Sequence, residues 1–351
     1  MSPNFVAEML ERGARAYASY AAARLFDTAS RPPVGPAGFL DWQDQLTQMV
    51  HDLAAAVRVG EPTVFASQVS WLRGAFEARS VPTGALVGAL EALGAALDEE
   101  LPEPAKPTAA PFLRAGLEAA RRAGAGERPA LSPDTPEGRL GLEYLARLLG
   151  GDRRGARDVA LSAFDRGTPI RSLYLRTLVP ALEEIGRMWH VGEASVAEEH
   201  FATDTTQGVM AILCSRATPA PANGKSVIVA AAPGNTHDIA VRVAADLFEL
   251  DGWRSICVGA DVPSADLASA CAAFSPDLIA LSAMMPGQLR TTAEAIGAIH
   301  AMPDQRARTL VGGRAFASSP DLWRRVGADA YAPTVEEACG VGRRLVGLAS
   351  E

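Results

Sequence analysis

The last third of the chain alternates short apolar runs with helical stretches, and this alternation narrows the fold more than any other feature. The apolar runs cover 226–232, 255–259, 278–282, 309–312 and 328–330, and helix-period stretches follow at 238–250, 264–274, 288–300, 320–326 and 335–348. Runs of Val, Ala, Ile and Leu without polar alternation predict strands covered on both faces, and connections long enough for a helix predict parallel pairing. The unit expected over 225–351 is a doubly wound, Rossmann-like α/β domain. Ligands of such sheets bind at the carboxyl ends of the strands.

Everything upstream reads as helix. Residues 1–101 predict a helical sensor or partner module with helices over 5–25, 42–57, 62–77 and 82–97, the last two with Pro62 and Pro82 in the first turn, where a missing amide donor costs nothing. Over 102–136, Pro102, Pro104, Pro107, Pro111, Pro129, Pro133 and Pro136 surround one short helical stretch at 112–123, which predicts a semi-extended connector and not a core element. Residues 137–218 are helical again, broken at Gly150-Gly151, at Gly167-Thr168-Pro169 and around His190-Val191-Gly192, which gives a four-helix bundle. A second linker, 219–224, leads into the α/β domain. The expected fold class is α + α/β: helical module, four-helix bundle, doubly wound sheet.

Bulk properties remove several functions. The formal charge of -8 disfavours nucleic acid as a direct partner. No apolar run approaches the roughly 18 residues that span a bilayer, and the first residues lack a secretion pattern, so a cytoplasmic protein without a membrane partner is expected. Cys214, Cys257, Cys271 and Cys339 have no C-x-x-C spacing and are expected as buried free thiols. No nucleophile–base pair, phosphate loop or H-E-x-x-H motif stands out, so the chain is not expected to be an enzyme by itself.

Chemistry-bearing residues collect at the predicted strand ends. Asn235, Thr236, His237, Asp238 and Ile239 follow the first strand, and Asp261 and Val262 follow the second. Ser282 and Met284 follow the third, Gly312 and Gly313 the fourth. A neutral imidazole is a good ligand for a borderline transition metal, and glycines leave room where a bulky group passes close to the backbone. This set resembles the cobalamin-binding domain of methionine synthases, corrinoid proteins and light-responsive repressors. In that family a D-x-H-x-x-G motif supplies the lower axial histidine of cobalt, and the displaced nucleotide tail runs beside S-x-L and G-G. The resemblance implies His237 as lower axial ligand and a Ser282 hydroxyl bonded to the tail. Asn235 stands where the family has Asp, Ala240 where it has Gly, and Met284 where it has Leu. Asn235 is expected to accept a bond from the imidazole N–H without lending it charge. The plain alternative is an ordinary helix-start histidine in a flavodoxin-like domain.

A second set lies in the bundle. Trp189 is followed after nine residues by Glu199 and His200, an arrangement that resembles the helical cap of adenosylcobalamin photoreceptors. The resemblance implies that Trp189 and Glu199 pack against the upper adenosyl group and that His200 can capture cobalt after light has broken the cobalt–carbon bond. The plain alternatives are a core aromatic for Trp189 and a solvated helix residue for His200. Residues 1–101 do not look like the helix-turn-helix of the DNA-binding relatives, and the arrangement also resembles photocobilins, in which a bilin accompanies cobalamin. A bilin such as biliverdin would be held noncovalently, whereas Trp42, Trp71 and His51 read better as helix-core residues. The leading expectation is a cobalamin-dependent light sensor that changes homo-oligomeric assembly or contact with a downstream protein effector. The rival is a corrinoid carrier of methyl groups between methyltransferase partners.

Overall fold

The computed structural model describes residues 1–28, 39–122, 130–303 and 305–349. The chain begins with helices α1 (Pro3–Thr28), α2 (Phe39–Val59), α3 (Pro62–Ala78), α4 (Thr83–Glu100) and α5 (Lys106–Arg121). Trp42, Leu46, Leu53, Phe65, Leu86, Leu90 and Leu93 are fully buried among them, so the module has a core of its own.

Helix α5 corrects the expectation of a loose connector. Pro107 occupies its first turn and Pro111 lies inside it, yet Ala109, Phe112, Gly116, Ala119 and Ala120 form a buried face. A Cβ on Gly116 would collide with the Phe65 ring, which shows how closely α5 approaches α3. Burial of that face against α3 and α4 outweighs the one helical hydrogen bond that Pro111 forfeits. Ala123 and Pro129 of the expected connector lie outside the described residues.

The four-helix bundle follows as α6 (Pro136–Leu149), α7 (Arg153–Asp165), a third helix built from α8 (Ile170–Leu173), a π turn (Tyr174–Leu178) and α9 (Val179–Val191), and α10 (Val196–Arg216). Thr135 and Asp152 cap α6 and α7 by accepting from Gly138 and Gly155 N–H groups. Gly192, with φ of 83°, ends α9 in the left-handed conformation that suits glycine.

The α/β unit comprises β1 (Ser226–Ala231), α11 (Ile239–Leu250), β2 (Arg254–Gly259), α12 (Ser264–Phe274), β3 (Leu278–Ser282), α13 (Gln288–His300), β4 (Arg308–Gly312), α14 (Leu322–Arg325), β5 (Ala330–Ala332) and α15 (Val335–Leu345). All pairings are parallel in the order β2-β1-β3-β4-β5, the doubly wound sheet expected. The fifth strand falls two residues later than its apolar signal, because Ala328 and Asp329 serve the approach: Asp329 accepts from Thr309 N–H and orients the start of β4. Helix α14 is a single turn, and α15 stops at Leu345. The linker 219–224 is not loose, since Ala220 and Asn223 N–H groups donate to Leu250 and Gly252 carbonyls.

The sheet separates two cores. Ile228, Ala230, Ile279, Leu281 and Val311 face a buried cluster that runs on into α1–α5, whereas Val227, Val229, Ala231, Leu278 and Leu310 face the cluster shared with the bundle. Alternate residues of one strand thus bind two different helical bodies.

Candidate functional site

In the strand order β2-β1-β3, chain direction reverses its progress between β1 and β3, and the crevice beyond their carboxyl ends is the expected ligand position. The loop after β1 carries Asn235, Thr236, His237 and Asp238 over this point. It is held rigidly. Asp261, itself in a left-handed conformation with φ of 52°, accepts from Gly234 N–H at 2.7 Å and donates its own amide to Asn235 O at 3.1 Å. Asn235 is 1 % exposed; its Nδ2 donates to Ser282 O at 2.9 Å and its Oδ1 accepts from the His237 backbone N–H at 3.1 Å.

The Asn235 geometry corrects one expectation. The side chain expected to orient the imidazole ring instead orients the backbone that carries it. The His237 ring is exposed and makes no hydrogen bond or ion pair among the described residues. Ser282, half-buried, likewise has a hydroxyl without a protein partner among them. Thr236 is exposed and Ile239 half-buried at the start of α11; Val262 is half-buried against the first core.

Gln288, which the sequence reading missed, is the other organiser. It is 8 % exposed at the start of α13; its Oε1 accepts from Met284 and Met285 N–H at 2.7 and 3.0 Å, and its Nε2 donates to Gly234 O at 3.1 Å. Three loop amides and carbonyls near the crevice thus converge on one side chain. The only sequence signal was a polar residue after Met285-Pro286-Gly287 at a predicted helix start. Gly313, with φ of 95°, crosses so close to Ala283 that a side chain would strike its backbone, and Gly312 ends β4 beside Ala332.

The bundle reaches the same end of the sheet. Gln207 of α10 donates from Nε2 to Asp238 Oδ1 at 2.8 Å, which ties the bundle to the residue after His237. Glu199 and His200 lie two turns earlier on α10, about 10 Å along its axis by the helix rise. Helix α10 starts where it does because Ser195 and Glu198 form a capping box, and the Ser195 N–H holds the Glu198 carboxyl below the usual range. Glu199 Oε2 pairs with His200 Nδ1 at 2.7 Å, while Thr203 donates to Glu199 Oε1 at 2.9 Å. Trp189 is 42 % exposed, so it is not the bundle-core aromatic of the plain alternative. The buried neighbour is His190, 5 % exposed. Of the other aromatics considered, Trp42 is a core residue, His51 is exposed, and Trp71 lies between helical bodies.

Cys271 and Cys339 are buried as expected, Cys214 is half-buried and Cys257 exposed. Among the described residues no group of three or more His, Cys, Asp or Glu could enclose a metal ion. A metal at His237 therefore needs a ligand that brings most of its own donors, and a lone imidazole at a strand-end crevice, with an unpaired hydroxyl and two glycines beside it, fits such a metal macrocycle. The fold and the strand-end residues suit the class of α/β proteins that bind a large ligand at the carboxyl ends of the sheet, with a helical bundle beside it.

Comparison with known proteins makes this specific: residues 225–340 match the family described as B12 binding domain, and residues 142–213 match a second family of the same description. The chain carries B12-binding domains and is homologous to a repressor and to corrinoid proteins. It is 33% identical over 105 residues to the HTH-type transcriptional repressor CarA of Myxococcus xanthus, a match covering 30% of this chain and 34% of that one, so the chain spans about a third of that relative. It is 25% identical over 183 residues to dimethylamine corrinoid protein 3 of Methanosarcina acetivorans, covering 51% of this chain and 84% of the relative. The fold is that of the monomethylamine corrinoid protein of Methanosarcina barkeri, with a TM-score of 0.50 at 17% identity over 59% of this chain and 98% of that one. No helix among the described residues is long and apolar enough to cross a membrane.

Proposed function

We propose that the protein is a cobalamin-dependent light sensor, with His237 as the lower axial ligand and the bundle as a cap over the opposite face. The observation that carries this reading is the spare chemistry of the cap: an indole, Trp189, 42 % exposed, and an imidazole, His200, with 74 % of its side chain exposed, neither consumed by bundle packing. Adenosylcobalamin supplies a cobalt–carbon bond that visible light breaks. The chain's residues do the rest. His237 would hold the cobalt, the loop bonded by Asn235, Asp261 and Gln288 would keep that histidine in place, and Ser282 would offer a hydrogen bond to the tail beside Gly312 and Gly313. Thr236, Asp238, Ile239, Val262 and Met284 line the approach. Trp189 and Glu199 would shield the light-sensitive bond, and His200 would offer a second imidazole to the cobalt.

The output is a change in homo-oligomeric assembly or in contact with a protein effector, and no DNA-binding step is assigned. A noncovalent bilin such as biliverdin is the proposed second chromophore. Its support is an open groove of about 710 Å³ between α3, α5 and the segment after β4, where Ser67, Ser70, Arg122 and Arg314 offer polar contacts and no cysteine lines the wall.

Absorption spectra of the full chain, loaded with adenosylcobalamin in the dark and then lit with green light, test the reading. A lasting spectral change is expected; His237→Ala should bind the cofactor at least tenfold more weakly, without the signature of a lower nitrogen ligand. A spectrum indifferent to light overturns the sensor. The methyl-carrier reading is favoured by the corrinoid relative, 84% of whose length is matched, and it wins if methyl transfer is detected while His200→Ala leaves every light response intact.

A further inference from the structure

We propose that Trp71 is the joint through which the N-terminal helices sense the cap, so that α3 reports whether the cobalamin crevice is occupied and in which state. The inference rests on the reading of base and cap as the two walls of that crevice, and it holds whether or not light is the natural stimulus.

Trp71 of α3 meets both walls at once. Its ring stacks on His190 of α9 with centroids 3.9 Å apart and planes inclined by 24°. Its backbone carbonyl pairs with His190 Nε2 at 3.0 Å, so one residue of α3 engages that imidazole twice. The guanidinium of Arg314 lies 5.4 Å from the same indole centroid and belongs to the residue that follows Gly312 and Gly313. One indole therefore contacts the residue next to Trp189 on the cap and the residue next to the glycine pair on the base.

The surroundings leave little slack. His190 is 5 % exposed, which makes its stack and its bond costly to lose together. Arg79, at the end of α3, donates from Nη2 to the Trp189 carbonyl at 3.4 Å, close to the Gly192 turn that leads from α9 toward Glu199 and His200. Displacement of this end of α9 must either break the Trp71–His190 contact or carry α3 with it. Helix α3 is in turn wedged against α5 at Phe65 and Gly116, so a shift passes to the rest of the module. A contact with two discrete states, made or broken, is what coupling between distant parts requires.

Hydrogen exchange of the α3 amides in the full chain tests the joint, with no ligand, with hydroxocobalamin, and with adenosylcobalamin before and after illumination. In the wild type, exchange at the C-terminal half of α3 should differ at least fivefold between the empty and hydroxocobalamin-loaded protein. In Trp71→Leu, and in His190→Gln, which removes the stacked ring, that difference should vanish while α10 still responds and hydroxocobalamin affinity stays within threefold. Trp71→Phe, which can still stack, should restore it. Should Trp71→Leu fail to fold, His190→Gln carries the comparison. Identical α3 exchange in empty and loaded wild type, or an undiminished response without the stack, overturns the proposal. A sample that loads but ignores light sinks the sensor alone, because the empty-versus-hydroxocobalamin comparison still decides the joint.

Discussion

At the scale of single residues the crevice depends on side chains that bond backbone. Asn235, Asp261 and Gln288 each satisfy loop amides or carbonyls, leaving the His237 ring and Ser282 hydroxyl without protein partners among the described residues. Gln288→Leu should remove an acceptor shared by two amides and a donor to Gly234, costing about 2–4 kcal/mol in urea unfolding and weakening cobalamin uptake. Unchanged stability would mean that water replaces the amide fully. His237 and Ser282 do stand at the strand ends where the sequence puts them, because that position follows from the apolar strand pattern. The work of Gln288 could not be read there, since its three partners lie in two loops separated from each other along the chain.

At the scale of elements, α2 carries a buried carboxylate. Asp52 is 7 % exposed and accepts from Gln48 Nε2 at 3.1 Å, and burial pushes its pKa up to about 6. A folded value above the ordinary 3.8 means that the native state binds the proton more tightly than the unfolded chain. The resulting stability is present in full below pH 3.8 and lost as pH rises through about 6. Asp52→Asn should therefore gain about 1–3 kcal/mol at pH 8 and flatten the dependence between pH 4 and 7, as read by denaturant unfolding at several pH values. A wild-type profile without decline over that window would refute the shift. Helix α5 teaches the converse about legibility. Its prolines spoke for a connector because local backbone preference is what proline reports, while its burial depends on α3 and α4.

At the scale of the whole molecule, the bundle and base are latched away from the crevice as well as at it. Tyr174, fully buried in the π turn, donates to Asp246 Oδ2 of α11 at 2.8 Å and lies 2.9 Å from Met210 O. Burial holds the Asp246 carboxyl above its usual range. Tyr174→Phe should cost about 1–3 kcal/mol in stability and speed hydrogen exchange in α10, since the one hydroxyl that links Asp246 of α11 to the Met210 carbonyl of α10 is lost. Exchange in α10 equal to wild type would show that the latch does not restrain the cap.

Strand and helix periods and the parallel character of the sheet were settled by sequence alone, because each follows from local spacing of apolar residues and from the handedness of the backbone. Which helical body covers which face of the sheet was decided only in three dimensions. Apolar faces are interchangeable as far as composition goes, and it is shape that seats α1–α5 against Ile228 and Ala230, the bundle against Val227 and Val229, and Trp71 between them.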